Sequence, residues 1–303
     1  MTSTSTPAQA PVQPAIELLP PSVTVRVGRR RLTLSWRARK PLPMLLSRLL
    51  LRAWQRVLAP GVRLSLAAAA VCAAWQAPVL AAAPAPGTLP TGWSVVNGNL
   101  SFSQNGNTLN INQLSPQAIA RFASFSIGAD AAVNVAQPSA SAALLAKVSG
   151  ADISQIYGKL SANGTVVLYN PNGVVIGPSG MIDAGRFIAT SLAISDNDFL
   201  AGRLNFAKDG AAGLVDNQGK ISSATGGSVY LIGGSVSNSG VITSPQGEVI
   251  LAAGQTVTLA DTATPGVTVN VTGSAGKVTN LGAISAEAGR IGVAAGLITN
   301  SGV

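Results

Sequence analysis

Residues 158–192 read GKLSANGTVVLYNPNGVVIGPSGMIDAGRFIATSL, and this stretch is centred on the turn Asn170-Pro171-Asn172-Gly173. Before the turn, Val166 and Leu168 alternate with Thr165, Val167 and Tyr169; after it, Val174 and Ile176 resume the alternation. A period of two is the signature of a half-buried strand. Pro171 sets its own φ and biases Asn170 toward extended backbone, while Asn172-Gly173 supplies residues that tolerate positive φ. The stretch reads strand, tight turn, strand.

The same strand unit returns downstream. Gly164-Thr165-Val166-Val167-Leu168 recurs as Gly227-Ser228-Val229-Tyr230-Leu231, Gly247-Glu248-Val249-Ile250-Leu251 and Gly289-Arg290-Ile291-Gly292-Val293. Val229, Val249, Val269 and Ile291 step by 20, 20 and 22 residues, and Leu231, Leu251, Val271 and Val293 step identically. With Val166 and Leu168 these residues form the expected core ladder. A second element, Asn-x-Gly, falls at Asn217/Gly219, Asn238/Gly240, Asn280/Gly282 and Asn300/Gly302. Its middle step of 42 residues reads as one coil that has lost the motif, with Thr262–Gly266 bulging outward.

A period near 20 (about 20–21 residues per coil) with short β segments is a solenoid signal. Leucine-rich repeats share the period but need a denser leucine frame. A calcium-binding nonapeptide roll needs Gly-Gly-x-Gly-x-Asp, which is absent. A parallel β-helix remains, in which each coil adds a strand ~4.8 Å along the axis and the Asn side chains stack in ladders at the turns. The recurrent Asn and Gly residues are turn formers, a structural role.

Upstream, Ser94–Val96, Asn99–Phe102, Thr108–Ile111, Phe125–Ile127 and Ala132–Val135 read as short strands, and Pro116–Phe122 as one helical turn. They do not follow the later repeat and read as an amino-terminal cap over the otherwise open first coil. Ser195–Val215 also departs from the pattern; Phe199, Leu204 and Phe206 around Gly202 fit an extra-helical hairpin. Asp196, Asn197 and Asp198 lack the further oxygen ligands and closing carboxylate of a calcium loop.

Charge is divided unevenly. Residues 1–83 hold eleven Lys/Arg and one acid, Glu17, for +10, whereas residues 84–303 hold nine Lys/Arg and ten Asp/Glu, for −1. The overall +9 therefore belongs to the leader, and no basic stripe in the body supports a nucleic-acid partner. The chain has no histidine and its one cysteine, Cys72, lies in the leader. Disulfides, Cys/His zinc sites and histidine-dependent nucleophilic catalysis are thereby excluded from the body. No residue set for a cofactor is visible.

The leader reads as an extended signal peptide over residues 1–83. Met1–Pro21 has a disordered composition, a basic n-region contains Arg29-Arg30-Arg31, and residues 42–58 place Arg48, Arg52 and Arg56 on one face of an amphipathic helix. Residues 64–80 form the apolar h-region, and Ala81-Ala82-Ala83 follows. The uninterrupted run Leu64–Trp75 is shorter than the ~20 residues of a membrane span. Residues 84–91 read as a linker, 92–215 as one domain and 216–303 as repeats that stop within a repeat unit.

One ordered set of motifs carries a family resemblance. Asn107-Thr-Leu-Asn-Ile-Asn-Gln113, Phe125-Ser-Ile-Gly128, Val133-Asn-Val-Ala-Gln-Pro138-Ser139-Ala140-Ser141, Ser154-Gln-Ile-Tyr-Gly158 and Asn170-Pro-Asn-Gly-Val174 follow one another. Together they resemble the two-partner secretion (TPS) domain, the filamentous-haemagglutinin amino-terminal family, in its high-molecular-weight-adhesin-like branch. The resemblance implies an all-β, right-handed, single-stranded parallel β-helix with a cap and an extra-helical hairpin. It also implies Sec export, signal-peptidase cleavage and periplasmic recognition by a TpsB-type outer-membrane β-barrel transporter with POTRA domains. The product would be a non-enzymatic exoprotein, secreted or at the surface of a Gram-negative-type cell. The signature residues carry over to Asn170, Pro171, Asn172 and Gly173 as a secretion motif. Leu145-Ala146-Lys147-Val148 departs from the family's usual Leu-Asn-Arg-Val, and Phe122 stands where Trp is usual. The effector reads first as an adhesin or haemagglutinin acting on host-cell receptors or glycans, with haemolysin or contact-dependent toxin as alternatives. A carbohydrate-active enzyme is a weaker reading, because Gly226–Val303 holds only Glu248, Asp261 and Glu287 as acids, with Glu248 outward and unpaired.

Overall fold

The computed structural model describes residues 22–27, 30–35, 82–261, 267–273 and 276–303. The chain divides into two compact units, Met1–Val79 and Leu80–Val303. In the first, the described residues form an antiparallel hairpin of Ser22–Val27 with Arg30–Ser35, where the sequence predicted disorder or helix. The expected helix at 42–58 and the apolar segment 64–80 lie outside the described residues.

The second unit is a parallel β-helix with three faces. The first face stacks Thr108–Gln113, Ala132–Ala136, Lys159–Ala162 and the starts of Met181–Thr190 and Lys220–Gly233, then Val241–Thr243 and Ala283–Ser285. The second stacks Gln117–Phe122, Ala143–Val148, Thr165–Tyr169, the later parts of those two long strands, Glu248–Ala253 and Arg290–Ala295. The third stacks Ser154–Ile156, Val174–Ile176, Leu214–Asn217, Ser235–Asn238, Lys277–Asn280 and Leu297–Asn300. Each face places like residues in register, so Val166, Phe187, Val229, Val249 and Ile291 share one rung, and Leu168, Ala189, Leu231, Leu251 and Val293 another. Val166, Leu168, Val229, Leu231, Val249 and Leu251 point into the axis and are buried. Ile291 is 51% exposed, because the last described coil is covered from one side only.

Two expectations about the start of the helix are corrected. Gln117–Phe122 is a strand, not a helical turn. Ala118, Ala120 and Phe122 face the axis while Ile119 faces a second core, and a strand buried on both faces loses the alternation that identifies it. The cap is also smaller than expected. Only Ser94–Asn97 and Leu100–Asn105 run antiparallel; from Thr108 every strand of the three faces stacks in parallel. Trp93, Phe102, Phe122 and Phe125 close this end of the axis, with successive ring centroids 5.4, 6.2 and 5.0 Å apart.

The core ladder is corrected at Val269 and Val271. Val267–Thr272 pairs antiparallel with Thr256–Asp261 outside the helix, and the rung after Val249 is Ile291. The regular 20-residue spacing of Val269 was coincidental: alternation in an exposed hairpin reads the same as alternation in a coil. No coil has lost its asparagine either, because Asn238 pairs directly with Asn280.

Candidate functional site

The Asn170–Gly173 turn is the corner between the second and third faces. Asn170 is fully buried. Its Nδ2 donates to the Asp152 carbonyl and to Ser154 Oγ, both at 3.0 Å, in the coil before. Its Oδ1 accepts from Asn172 N at 3.0 Å, so the side chain builds the turn as well as tying it down. Asn172 Nδ2 donates to the Gly150 carbonyl at 2.9 Å, and Gly173 N closes the turn onto the Asn170 carbonyl at 3.0 Å. Gly173 holds φ 125, a region that side chains avoid.

The opposite side of this corner carries the next coil. There the chain leaves the helix after Thr190 and returns at Gly213, whose N–H donates to the Pro171 carbonyl at 2.9 Å. A Cβ on Gly213 would collide with the Asn172 carbonyl, so only glycine permits this contact. The turn is therefore the seat on which the first excursion re-enters the solenoid.

That excursion and a second one form an outer sheet. The first holds Ala193–Ile194, a short helix Asp196–Leu200 and the strand Leu204–Ala207; the second holds Thr256–Asp261 and Val267–Thr272. Leu204–Ala207 pairs antiparallel with Thr256–Asp261, which joins excursions from different coils. The sequence expected a hairpin at Ser195–Val215, but the partner of its strand lies some fifty residues later, and Phe199 falls in the helix. Beneath the sheet, the outward residues of the second face are apolar: Ile119, Leu145, Val167, Ile188, Tyr230 and Ile250 pack on Phe199, Phe206 and Val257. This is a second core on the outside of the helix.

Polar links fasten the sheet. Lys147 Nζ donates to Asp196 Oδ1 at 2.6 Å and to the Ile194 carbonyl at 3.2 Å. Asp198 accepts from Arg203 Nε at 2.7 Å and from Ser195 Oγ, and these bonds hold its carboxyl below the usual range. Both carboxylates thus serve the helix Asp196–Leu200. Glu248 does face outward, but it is not unpaired: Oε2 accepts from Tyr230 Oη at 2.9 Å and Oε1 from Val267 N at 3.3 Å. Burial, reinforced by the charge of Glu248, pushes the Tyr230 phenol up to about 12, so the phenol stays protonated and donates. Such an acid is a strut, not a proton-transfer group.

Ladders run along the corners. Asn217, Asn238, Asn280 and Asn300 form a chain of Nδ2-to-Oδ1 bonds of 2.7, 2.8 and 2.8 Å. An earlier ladder escaped the sequence reading: Asn134 donates to Asn110 at 3.1 Å and Gln137 to Gln113 at 3.1 Å. Its signal was Asn110-Ile-Asn-Gln113 returning as Asn134-Val-Ala-Gln137, a 24-residue step. Gly150 and Gly213, which receive the signature turn, have no periodic mark and were not legible.

Known proteins share this arrangement. The crystal structure of the HMW1 secretion domain from Haemophilus influenzae superposes with a TM-score of 0.66 at 35% identity, over 70% of this chain and 57% of that one. A heme/hemopexin-binding protein of Haemophilus influenzae (strain ATCC 51907 / DSM 11121 / KW20 / Rd) is 38% identical over 184 residues, 57% of this chain. A second heme/hemopexin-binding protein of Haemophilus influenzae is 41% identical over 83 residues, 27% of this chain. The matches span 20% and 9% of the two relatives' lengths. The profile of the TPS secretion domain matches residues 87–303, and by that match, on this β-helix, the chain belongs to the TPS secretion domain family of non-enzymatic exoproteins.

Proposed function

We propose that residues 92–215, led by an extended signal peptide at 1–83 and a linker at 84–91, are recognised in the periplasm by a TpsB-type outer-membrane transporter with POTRA domains. In this reading the Sec translocon and signal peptidase deliver the chain, and residues 216–303 continue the helix as it reaches the cell surface. Folding there is vectorial. Each emerging coil docks on the edge of the one before and buries its rung at ~25 cal/mol per Å² of apolar surface. The supporting observation is the unbroken rung Val166–Phe187–Val229–Val249, in which a residue is buried only when both neighbouring coils are in place.

Asn170, Pro171, Asn172 and Gly173 serve export by shape in this account. They form the corner on which Gly213 seats, and the outer sheet follows from that seat. The exoprotein is proposed to be an adhesin or haemagglutinin; a heme- or hemopexin-binding exoprotein is the second reading, favoured by the names of the two relatives. The test is export from cells carrying the cognate transporter. Polar replacement of Val229, Leu231, Val249 and Leu251 together should stop secretion, with the chain accumulating in the periplasm. Undiminished secretion of that variant would sink the vectorial-folding account.

A further inference from the structure

On the second face, the outward row Arg186, Ser228, Glu248 and Arg290 lies in register on four successive coils, each ~4.8 Å from the last. The second core does not cover this row. It forms one wall of a trench of about 590 Å³ whose other wall is the rim of the outer sheet at Arg203 and Thr258. That volume lies within the usual range of small-ligand sites. The floor is kept open by Gly227, Gly247 and Gly289, since a Cβ at any of them would collide with the carbonyl of the preceding coil.

Charge is concentrated here against the trend of the domain. Residues 84–303 carry net −1 and contain four arginines, yet Arg186, Arg203 and Arg290 all line this one trench. Glu248, the facing acid, has both oxygens committed to Tyr230 and Val267. We propose that the trench binds an acidic oligosaccharide, carboxylated or sulfated, laid along the helix axis. Guanidinium groups match the planar, two-oxygen geometry of carboxylate and the oxygens of sulfate. Gln246 and Thr258 supply uncharged hydrogen-bonding groups for sugar hydroxyls. The axial spacing selects saccharide over peptide. An extended peptide advances ~3.3 Å per residue, out of step with rows ~4.8 Å apart, whereas a pyranose unit is comparable in length to one coil.

The test is calorimetric titration of the full chain with four probes: a galacturonate tetrasaccharide, a heparin-derived tetrasaccharide, neutral maltotetraose and tetraglutamate. One or both acidic saccharides should bind roughly tenfold or more tightly than the neutral sugar and the peptide. Which of the two binds distinguishes carboxylate from sulfate. Arg186→Ala with Arg290→Ala should abolish the difference. Arg29→Gln, Arg30→Gln and Arg31→Gln in the basic leader should leave it intact. Gln246→Glu adds repulsion at an exposed turn position and should weaken binding with the melting temperature unchanged, which decides the matter if the double variant fails to fold. Equal affinity for maltotetraose or tetraglutamate, no binding of either acidic saccharide, or a loss that follows the leader variant instead of the trench variants overturns the proposal.

Discussion

Asn238 donates from Nδ2 to Oδ1 of Asn280 at 2.8 Å, although 42 residues separate them. The bond is the same length as the one from Asn280 to Asn300, which spans 20. The helix therefore advances by one coil in both cases, and the surplus chain lies outside it.

The surplus should be removable. A Cβ on Gly276 would lie within 2.7 Å of Gly254 N, so the two ends of the second excursion already adjoin. Splicing them with a short Gly-Ser link in place of residues 255–275 should preserve the far-ultraviolet signature of the helix. It should also uncover Tyr230, Ile250 and Phe206, giving a lower melting temperature and strong binding of an apolar dye. A collapse of the β signal would show that the outer sheet is needed for the helix itself.

The signature turn should be costly to alter. Asn170→Ala removes two buried donors and the acceptor for Asn172 N, leaving the Asp152 carbonyl without that bond, for a loss of about 2–4 kcal/mol. Asn172→Ala loses one side-chain bond from a half-buried residue and should cost about 1 kcal/mol. Urea denaturation orders the two; equal midpoints would contradict the turn's described role.

The ladder assignment separates two valines that look equivalent in the sequence. Val249→Ala opens a cavity on the buried rung and should cost about 2–3 kcal/mol. Val269→Ala truncates a partly buried residue of the outer hairpin and should cost below about 1 kcal/mol. Equal losses in a chemical denaturation series would restore Val269 to the axis.

Tyr230 gives an alkaline signature. Its phenol is raised from 10.0 to about 12, so between those values the folded chain keeps a proton that the unfolded chain releases. Stability is therefore present below pH 10 and falls as pH rises toward 12, by up to about 2–3 kcal/mol at ~1.36 kcal/mol per unit. Tyr230→Phe should flatten that fall while lowering stability at neutral pH, because Glu248 Oε2 loses its donor. Stability curves of the two proteins with the same slope between pH 10 and 12 would refute the shift.

The sequence by itself determined the solenoid, because one inward rung per coil imposes a repeat that any coil must share. Val166, Val229 and Val249 announce the axis, Asn217 to Asn300 the corners, and Asn170–Gly173 a turn. Only tertiary structure decided where the chain departs from the axis. Val269 alternates as well as Val249 does, and Ile119 sits in an unbroken apolar run, since a strand buried on its outer face carries no polar mark. Pairing Leu204–Ala207 with Thr256–Asp261 leaves no local trace, because neither strand's sequence specifies a partner on another coil. The trench and its three arginines follow from that pairing: residues 186, 203 and 290 meet only once the outer sheet is in place.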